Sequence, residues 1–176
     1  MTDALSIDVV IAAPAWAAQP DAEQVVRRAL CTAAAATSAS HAELAVVLTD
    51  DSAIRALNRD WRGIDRPTNV LSFPTPQRWG PSGGGKDAAG AVPSHLGDIV
   101  IAYETMAREA EAEAKPFADH LAHLAVHGFL HLLGQDHDDD RNAEAMEGLE
   151  RAILARLGIA DPYAIRDVAV PTERHV

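Results

Sequence analysis

Short β-branched runs alternate with helical segments along most of this 176-residue chain, and this alternation restricts the fold more than any other feature. A β-rich run followed by an amphipathic helix is the repeating unit of layered folds, in which helices cover a sheet. The sequence therefore predicts one α/β (α+β) domain over residues 1–176, with a small mixed four-stranded sheet packed against about five helices.

The boundaries of these segments follow from turn and capping residues. In the second helix, an apolar stripe is predicted to include Trp61, and Pro67 is predicted to stop the helix. The predicted strands cover residues 6–12, 44–48, 70–73 and 96–103. The predicted helices cover 21–37, 105–114 and 116–133. A further helix is predicted from a cap at Asp50 or Asp51 to residue 66, and the last one from a cap at Asp140 or Asn142 to Gly158.

Residues 76–94 are rich in Gly, Pro and Ser and include a glycine triplet at 83–85. The triplet lacks the Lys-Ser or Lys-Thr of a nucleotide-binding loop and does not join a strand to a helix. We therefore expect a flexible surface loop.

Five of the eight histidines lie between positions 120 and 137. His127 and His131 are four residues apart on a predicted helix, so their rings project side by side and can bind one ion. Gly134 can adopt the left-handed conformation that ends a helix and returns the chain, which brings His137 to the same point. Three imidazoles with an open fourth position form the ligand set of a catalytic zinc centre. We therefore predict one Zn²⁺ at His127, His131 and His137, with His127 also counted as catalytic.

The remaining histidines are less informative. His120 and His123 lie on the same helical stripe, and we expect them to orient the ligands or to line a substrate groove. His41, His95 and His175 fit ordinary surface positions.

The spacing HxxxHxxGxxH is also that of metzincin-type zinc peptidases, so peptide hydrolysis is an alternative. In those enzymes a glutamate directly follows the first histidine and serves as general base. Here that position is Gly128, which has no side chain to accept a proton. We therefore rank a peptidase second.

The formal net charge of −11 argues against broad attraction to nucleic acid, which requires Lys and Arg to neutralise phosphates. Any RNA contact must be local, and we expect no DNA binding. Residues 136–150 carry seven carboxylates, most of which we assign to a solvated helix face. Asp136 precedes a predicted ligand and could orient an imidazole, although aspartate is also common in turns.

The single cysteine, Cys31, excludes an intrachain disulfide and a cysteine-based metal site. No apolar run approaches the length of a membrane span, and the first residues lack the basic start of a secretory signal. We expect a soluble cytoplasmic protein with no membrane contact.

Three blocks resemble the YbeY family of metal-dependent endoribonucleases, the rRNA maturation factors. HGFLHLLGQDH at 127–137 is similar to the family signature, and LNRDWRGIDRPTNVLSFP at 57–74 and LGDI at 96–99 match two further blocks in the family's order. The likeness extends from about Ala42 to Gly158. Gln135 stands where the family often has tyrosine, and the loop at 76–94 is longer than usual.

The resemblance implies a single-strand-directed RNA-cleaving activity in ribosomal RNA processing, notably at the 3′ end of 16S rRNA, and in ribosome quality control. It implies zinc at the three histidines, and it places the family's important arginine on Arg62. The expected partners are the small ribosomal subunit, its rRNA and its ribosomal proteins.

An arginine suits this chemistry because phosphodiester cleavage concentrates negative charge on phosphate oxygens, and a guanidinium offers a fixed fork of donors. We predict this catalytic role for Arg62. Arg59, Asn69, Ser72 and His123 are predicted substrate contacts. The attacking group can be water or the 2′-hydroxyl of RNA, and the sequence leaves both open. A non-catalytic ribosome assembly factor with structural zinc is the third candidate function.

Overall fold

A four-stranded mixed sheet organises the chain, with the strands in the order β1-β2-β4-β3. The computed structural model describes residues 5–37, 39, 41–75, 95–134 and 140–163. The strands are β1 (Ser6–Ile11), β2 (Glu43–Thr49), β3 (Val70–Pro74) and β4 (His95–Ala102). The helices are α1 (Ala22–Thr37), α2 (Asp51–Arg62), α3 (Tyr103–Ala112), α4 (Phe117–Leu132) and α5 (Asp140–Arg156), with a short 3-10 turn at Pro14–Ala18.

Three strands of the sheet are parallel and the fourth is reversed. β2 pairs in parallel with both β1 and β4, whereas β3 pairs antiparallel with β4 and forms one edge. The predicted small mixed sheet of four strands with about five helices is therefore confirmed within the described ranges.

The helices pack on both faces of this sheet. Because successive side chains of a strand point to opposite faces, β4 contributes Ile99 and Ile101 to one core and Val100 to another. The larger core lies between the sheet and α1, α4 and α5. The smaller core buries Ile54 of α2 against Val100 and Leu71. α2 and α4 therefore lie on opposite faces of the sheet.

The end of α2 differs from its prediction. The carboxylate of Asp50 caps its start by accepting from the backbone N–H of Ala53 at 2.8 Å. The helix ends at Arg62, because Gly63 adopts a left-handed φ of 72° and its N–H bonds back to Arg59. The prediction that Pro67 stops this helix was wrong.

Trp61 also departs from its predicted place in the apolar stripe. Its side chain is 72% exposed, and its ring meets Phe73 of β3 edge-on, with 5.8 Å between the centroids. The C-terminal end of α2 is thereby held beside the edge strand β3.

α4 is the most deeply buried helix of the described chain. Pro116 stands at its N-cap, where a missing N–H costs nothing, and ten of its residues are buried. Gly134, which follows the C-cap residue Leu133, has φ 91°, which confirms the predicted left-handed turn.

The predicted flexible loop and the predicted third metal ligand, His137, lie outside the described chain. The loop at 76–94 and residues 135–139 are not among the described residues. None of the described helices is both long enough and apolar enough to cross a membrane.

Candidate metal centre and adjoining cleft

Four histidines line one face of α4, because residues three and four apart on a helix share a face. The ring centroids of His120 and His123 are 6.3 Å apart, those of His123 and His127 also 6.3 Å, and those of His127 and His131 4.5 Å. The last pair is the closest, so His127 and His131 are the candidates for a shared ligand.

The facing nitrogens of this pair suit a metal ion. Nε2 of His127 lies 3.0 Å from Nε2 of His131. A tetrahedral Zn²⁺ bound about 2.0–2.1 Å from each of two nitrogens holds them roughly 3.3 Å apart. A shift of a few tenths of an ångström therefore opens the pair to an ion. The side chain of His127 is 24% exposed, so the pair can be reached from solvent.

A buried carboxylate from α5 sets the hydrogen bonding of His127. Oε1 of Glu150 accepts a hydrogen bond from Nδ1 of His127 at 2.7 Å, and the Glu150 side chain is fully buried. Its Oε2 accepts from Nε2 of His123 at 3.0 Å and from the hydroxyl of Tyr163 at 2.6 Å. Burial by itself raises the pKa of Glu150, but the hydrogen bonds from His123, His127 and Tyr163 outweigh it and hold the pKa far below its ordinary value.

An ionised Glu150 can only accept hydrogen bonds, so the proton of a neutral His127 ring must reside on Nδ1. Its Nε2 then presents a lone pair toward His131. This is the protonation pattern of a histidine metal ligand, whose second nitrogen donates to a carboxylate. The residues present therefore fit a zinc ion.

His120 and His123 have the opposite pattern. Nε2 of His120 lies 3.1 Å from Glu109, and Nε2 of His123 lies 3.0 Å from Glu150. The Nδ1 atoms of both rings are buried without a hydrogen-bond partner. A proton on Nε2 lets each ring donate to its carboxylate, so neither Nε2 offers a lone pair to a metal.

The third predicted ligand, His137, lies outside the described residues, as does Asp136. Within the described ranges, no group of three His, Cys, Asp or Glu side chains is arranged to hold a metal. Ligation by His137 stays a prediction, supported by the positive φ of Gly134.

Gly128, the position that distinguishes this chain from zinc peptidases, packs against the sheet. A Cβ built there would lie 2.9 Å from Cγ2 of Ile99 and 3.1 Å from Oγ of Ser72. The hydroxyl of Ser72 donates to the Gly128 carbonyl at 3.0 Å. A glutamate at this position would meet the sheet instead of a bound water, so the geometry opposes peptidase chemistry.

A cleft of about 560 Å³ opens beside His127. Its wall includes His123 and Tyr163, and on the α3 side Glu109 and Lys115. Asn69, a predicted substrate contact, also lines it, and its amide donates to Glu109 at 2.9 Å. The structure thus brings Asn69, His123 and His127 together at one cleft.

The predicted arginines lie elsewhere. Arg59 and Arg62 are exposed on α2, on the other face of the sheet, and neither lines this cleft. Arg59 forms an exposed ion pair with Asp60 at 3.2 Å, and Arg55 pairs with Asp65 at 2.9 Å. In the part of the chain that the structure describes, no ion pair involves Arg62, so its guanidinium is available to a ligand.

Comparison with known proteins decides the family. The model of the family described as "Endoribonuclease YbeY" matches residues 13–158. The chain belongs to the YbeY endoribonuclease family. A protein named endoribonuclease YbeY from Bradyrhizobium sp. strain BTAi1 is 59% identical over 162 residues, covering 91% of this chain and 93% of that protein. Its namesake from Rhodopseudomonas palustris strain BisB18 is 58% identical over 162 residues, with the same coverages.

The fold also matches a solved structure. The solution structure of TM1509 from Thermotoga maritima superposes with a TM-score of 0.55 at 23% identity and covers 84% of this chain and 86% of that one. At that identity the likeness supports the fold alone.

Sequence reasoning missed the carboxylate that holds His127, and it did not single out Tyr163, Glu109 or Lys115 of the cleft wall. Glu150 lies inside the segment that matches the YbeY model, yet we assigned most of the carboxylates of 136–150 to a solvated face and did not single out this one. That assignment was wrong for Glu150, which is fully buried. The available signal was its place on the apolar stripe of α5, shared with Met146, Ile153 and Leu154.

Proposed function

We propose that this chain is a single-strand-specific, metal-dependent endoribonuclease that acts in ribosomal RNA processing, at the 3′ end of the small-subunit RNA, and in ribosome quality control. Membership of the YbeY endoribonuclease family supports the activity. The observation that carries the metal dependence is the Nε2 pair of His127 and His131, 3.0 Å apart, with His127 held by Glu150.

The proposed ligands are His127, His131 and His137, and the proposed cofactor is one Zn²⁺. A zinc ion bound there supplies Lewis acidity toward the scissile phosphate and lowers the pKa of a coordinated water. The chain contributes the orientation of the imidazoles and a solvent-accessible cleft beside them.

We place the RNA along the edge strand β3. The histidines of α4 and the arginine at the end of α2 lie on opposite sides of this strand, next to two consecutive residues of it. Ser72 contacts Gly128 of α4 on one face, and Phe73 contacts Trp61 of α2 on the other. A single-stranded RNA that follows the β3 edge can contact the histidines on one side and Arg62 on the other. Arg62 then offsets charge that develops on the phosphate oxygens.

The remaining substrate contacts follow from this path. Asn69 and His123 line the cleft, Ser72 lies on the edge strand, and Arg59 lies one helical turn before the end of α2. With a net charge of −11, the chain has little general attraction for RNA, so we propose that ribosomal proteins of the small subunit help to deliver the substrate in the cytoplasm.

Cleavage of a fluorescent single-stranded RNA tests this function directly. Wild type loaded with zinc should cut it, His127→Ala should lose both metal and activity, and Arg62→Ala should keep metal and lose rate. His41→Ala is the matched control, because His41 is an exposed histidine outside the cleft. Full activity in metal-free His127→Ala would contradict the assignment.

The ends of the RNA products separate the two routes of attack. A 2′,3′-cyclic phosphate indicates attack by the 2′-hydroxyl, whereas a free 3′-hydroxyl with a 5′-phosphate on the other fragment indicates attack by water. Turnover of casein in the same preparation would favour a peptidase, which the contact of Gly128 with Ile99 opposes.

A further inference from the structure

Glu150 is a fully buried carboxylate on an otherwise apolar stripe of α5. Removing a carboxylate from water is unfavourable unless hydrogen bonds replace the lost hydration. An alkyl side chain of similar size would fill the same space without this cost. The three donors that converge on Glu150 therefore indicate a role beyond packing.

The two oxygens of Glu150 have different partners. Oε1 accepts from Nδ1 of His127, and Oε2 accepts from both Nε2 of His123 and the hydroxyl of Tyr163. The two donors to Oε2, which lie on the side away from His127, fix the rotation of the carboxylate. Oε1 is thereby left facing His127.

We propose that Glu150 is a positioning residue that holds His127 in the tautomer with its proton on Nδ1 and so directs the lone pair of Nε2 at the metal. This inference rests on the metal site of the proposed function. Without an acceptor at Nδ1, the His127 proton can occupy Nε2, where it would point at Nε2 of His131, 3.0 Å away. In the zinc-free chain this contact is a hydrogen bond that His131 donates when the His127 proton is on Nδ1. A proton on Nε2 of His127 would instead leave that atom no lone pair for the ion.

Tyr163 and His123 act through the same carboxylate. Tyr163 follows α5 and is held by a hydrogen bond from its own N–H to Asp161 at 2.8 Å and by Arg151, whose guanidinium carbon lies 5.2 Å from its ring centroid. The segment after α5 thus closes the far side of the Glu150 site and forms part of the cleft wall. Tyr163 and His123 are supports of the carboxylate, and His127 is the residue that it orients.

Glu150→Gln tests the proposal with almost no change in volume. The glutamine has one acceptor oxygen for three donors, and its NH₂ can satisfy His127 only if Nδ1 of His127 accepts. That arrangement moves the His127 proton to Nε2. We expect zinc affinity, measured by competition with a chromogenic chelator, to fall about ten- to hundredfold, the usual effect of losing such a partner.

Two further variants keep the test decisive. Glu144→Gln, an exposed glutamate on the same helix, is the matched control and should bind zinc like wild type. Tyr163→Phe removes one donor from Oε2 and should lower zinc affinity severalfold without removing the carboxylate. It provides the comparison if Glu150→Gln does not fold.

The tautomer of His127 in the zinc-free chain gives a readout that a packing role would not change. Nitrogen NMR of the ring should show a proton on Nδ1 in wild type and in Glu144→Gln, and a proton on Nε2 in Glu150→Gln. Zinc affinity within twofold of wild type, with the Nδ1 proton retained in Glu150→Gln, would overturn the proposal while leaving the nuclease assignment intact. If wild type itself binds no zinc, both the metal site and the role of Glu150 fail.

Discussion

Replacing Gly128 by alanine has two opposing effects on the free energy of unfolding. Alanine favours a helix interior over glycine by about 1 kcal/mol. The new methyl group, however, would lie 2.9 Å from Cγ2 of Ile99, a branched side chain with 0% exposure in the main core. Overpacking of this kind costs about 1–3 kcal/mol. Because Ile99 is stiff and enclosed, we expect the cost to exceed the gain and Gly128→Ala to lose about 1 kcal/mol of stability.

Gly148 supplies the matched control, because it lies in α5 with nothing within 4 Å of a Cβ built on it. Gly148→Ala should therefore raise the free energy of unfolding by up to about 1 kcal/mol. Denaturant titration of both variants measures the difference, which should be roughly 2 kcal/mol at an unchanged m-value. Equal stabilisation by the two substitutions would refute the tight approach of α4 to the sheet, and with it our structural argument against a peptidase.

Three other predictions concern the metal, the edge strand and pH. Removing zinc with a chelator should abolish RNA cleavage but preserve the far-ultraviolet circular dichroism, since apolar side chains of the sheet and helices build the main core. Loss of helical signal would favour a structural metal. Ser72→Ala should lower the free energy of unfolding by about 1 kcal/mol through the lost bond to Gly128, and unchanged denaturation would contradict this. Burial raises the pKa of Glu109, but hydrogen bonds from His120 and Asn69 outweigh it and lower the pKa below 4.5. The ionised Glu109 therefore stabilises the fold fully above pH 4.5, and this contribution is lost as the pH falls through the lowered pKa of Glu109. Glu109→Gln should make the free energy of unfolding less dependent on pH in the acid range. The exposed control Glu111→Gln should leave that dependence unchanged.

Local sequence signals predicted the order of the elements and the fold class. Strand runs, the Asp50 cap and the glycine after α4 all act over a few residues, so they can be read without tertiary structure. The same reasoning failed at the end of α2, where both Gly63 and Pro67 are helix terminators. Gly63 comes first in the chain and ends the helix, so the later proline has no helix to stop.

Contacts between distant segments could not be predicted in this way. Trp61 fits a helical stripe by spacing, but its indole meets Phe73 of the edge strand β3 and stays mostly exposed. Glu150 looks like one more carboxylate of an acidic helix until α5 is packed beside α4, which brings His123 and His127 to it. The spacing of His127 and His131 did predict their close approach, since four residues is one helical turn.

Zinc titration of the metal-free chain, followed by nitrogen NMR of the histidine rings, tests the proposed metal centre most directly. We predict saturation at one ion per chain, with the Nε2 signals of His127 and His131 and one ring nitrogen of His137 shifting together while the Nδ1 proton of His127 is retained. Zinc that instead shifts the rings of His120 and His123, or that leaves His137 unchanged, would contradict the three-histidine site.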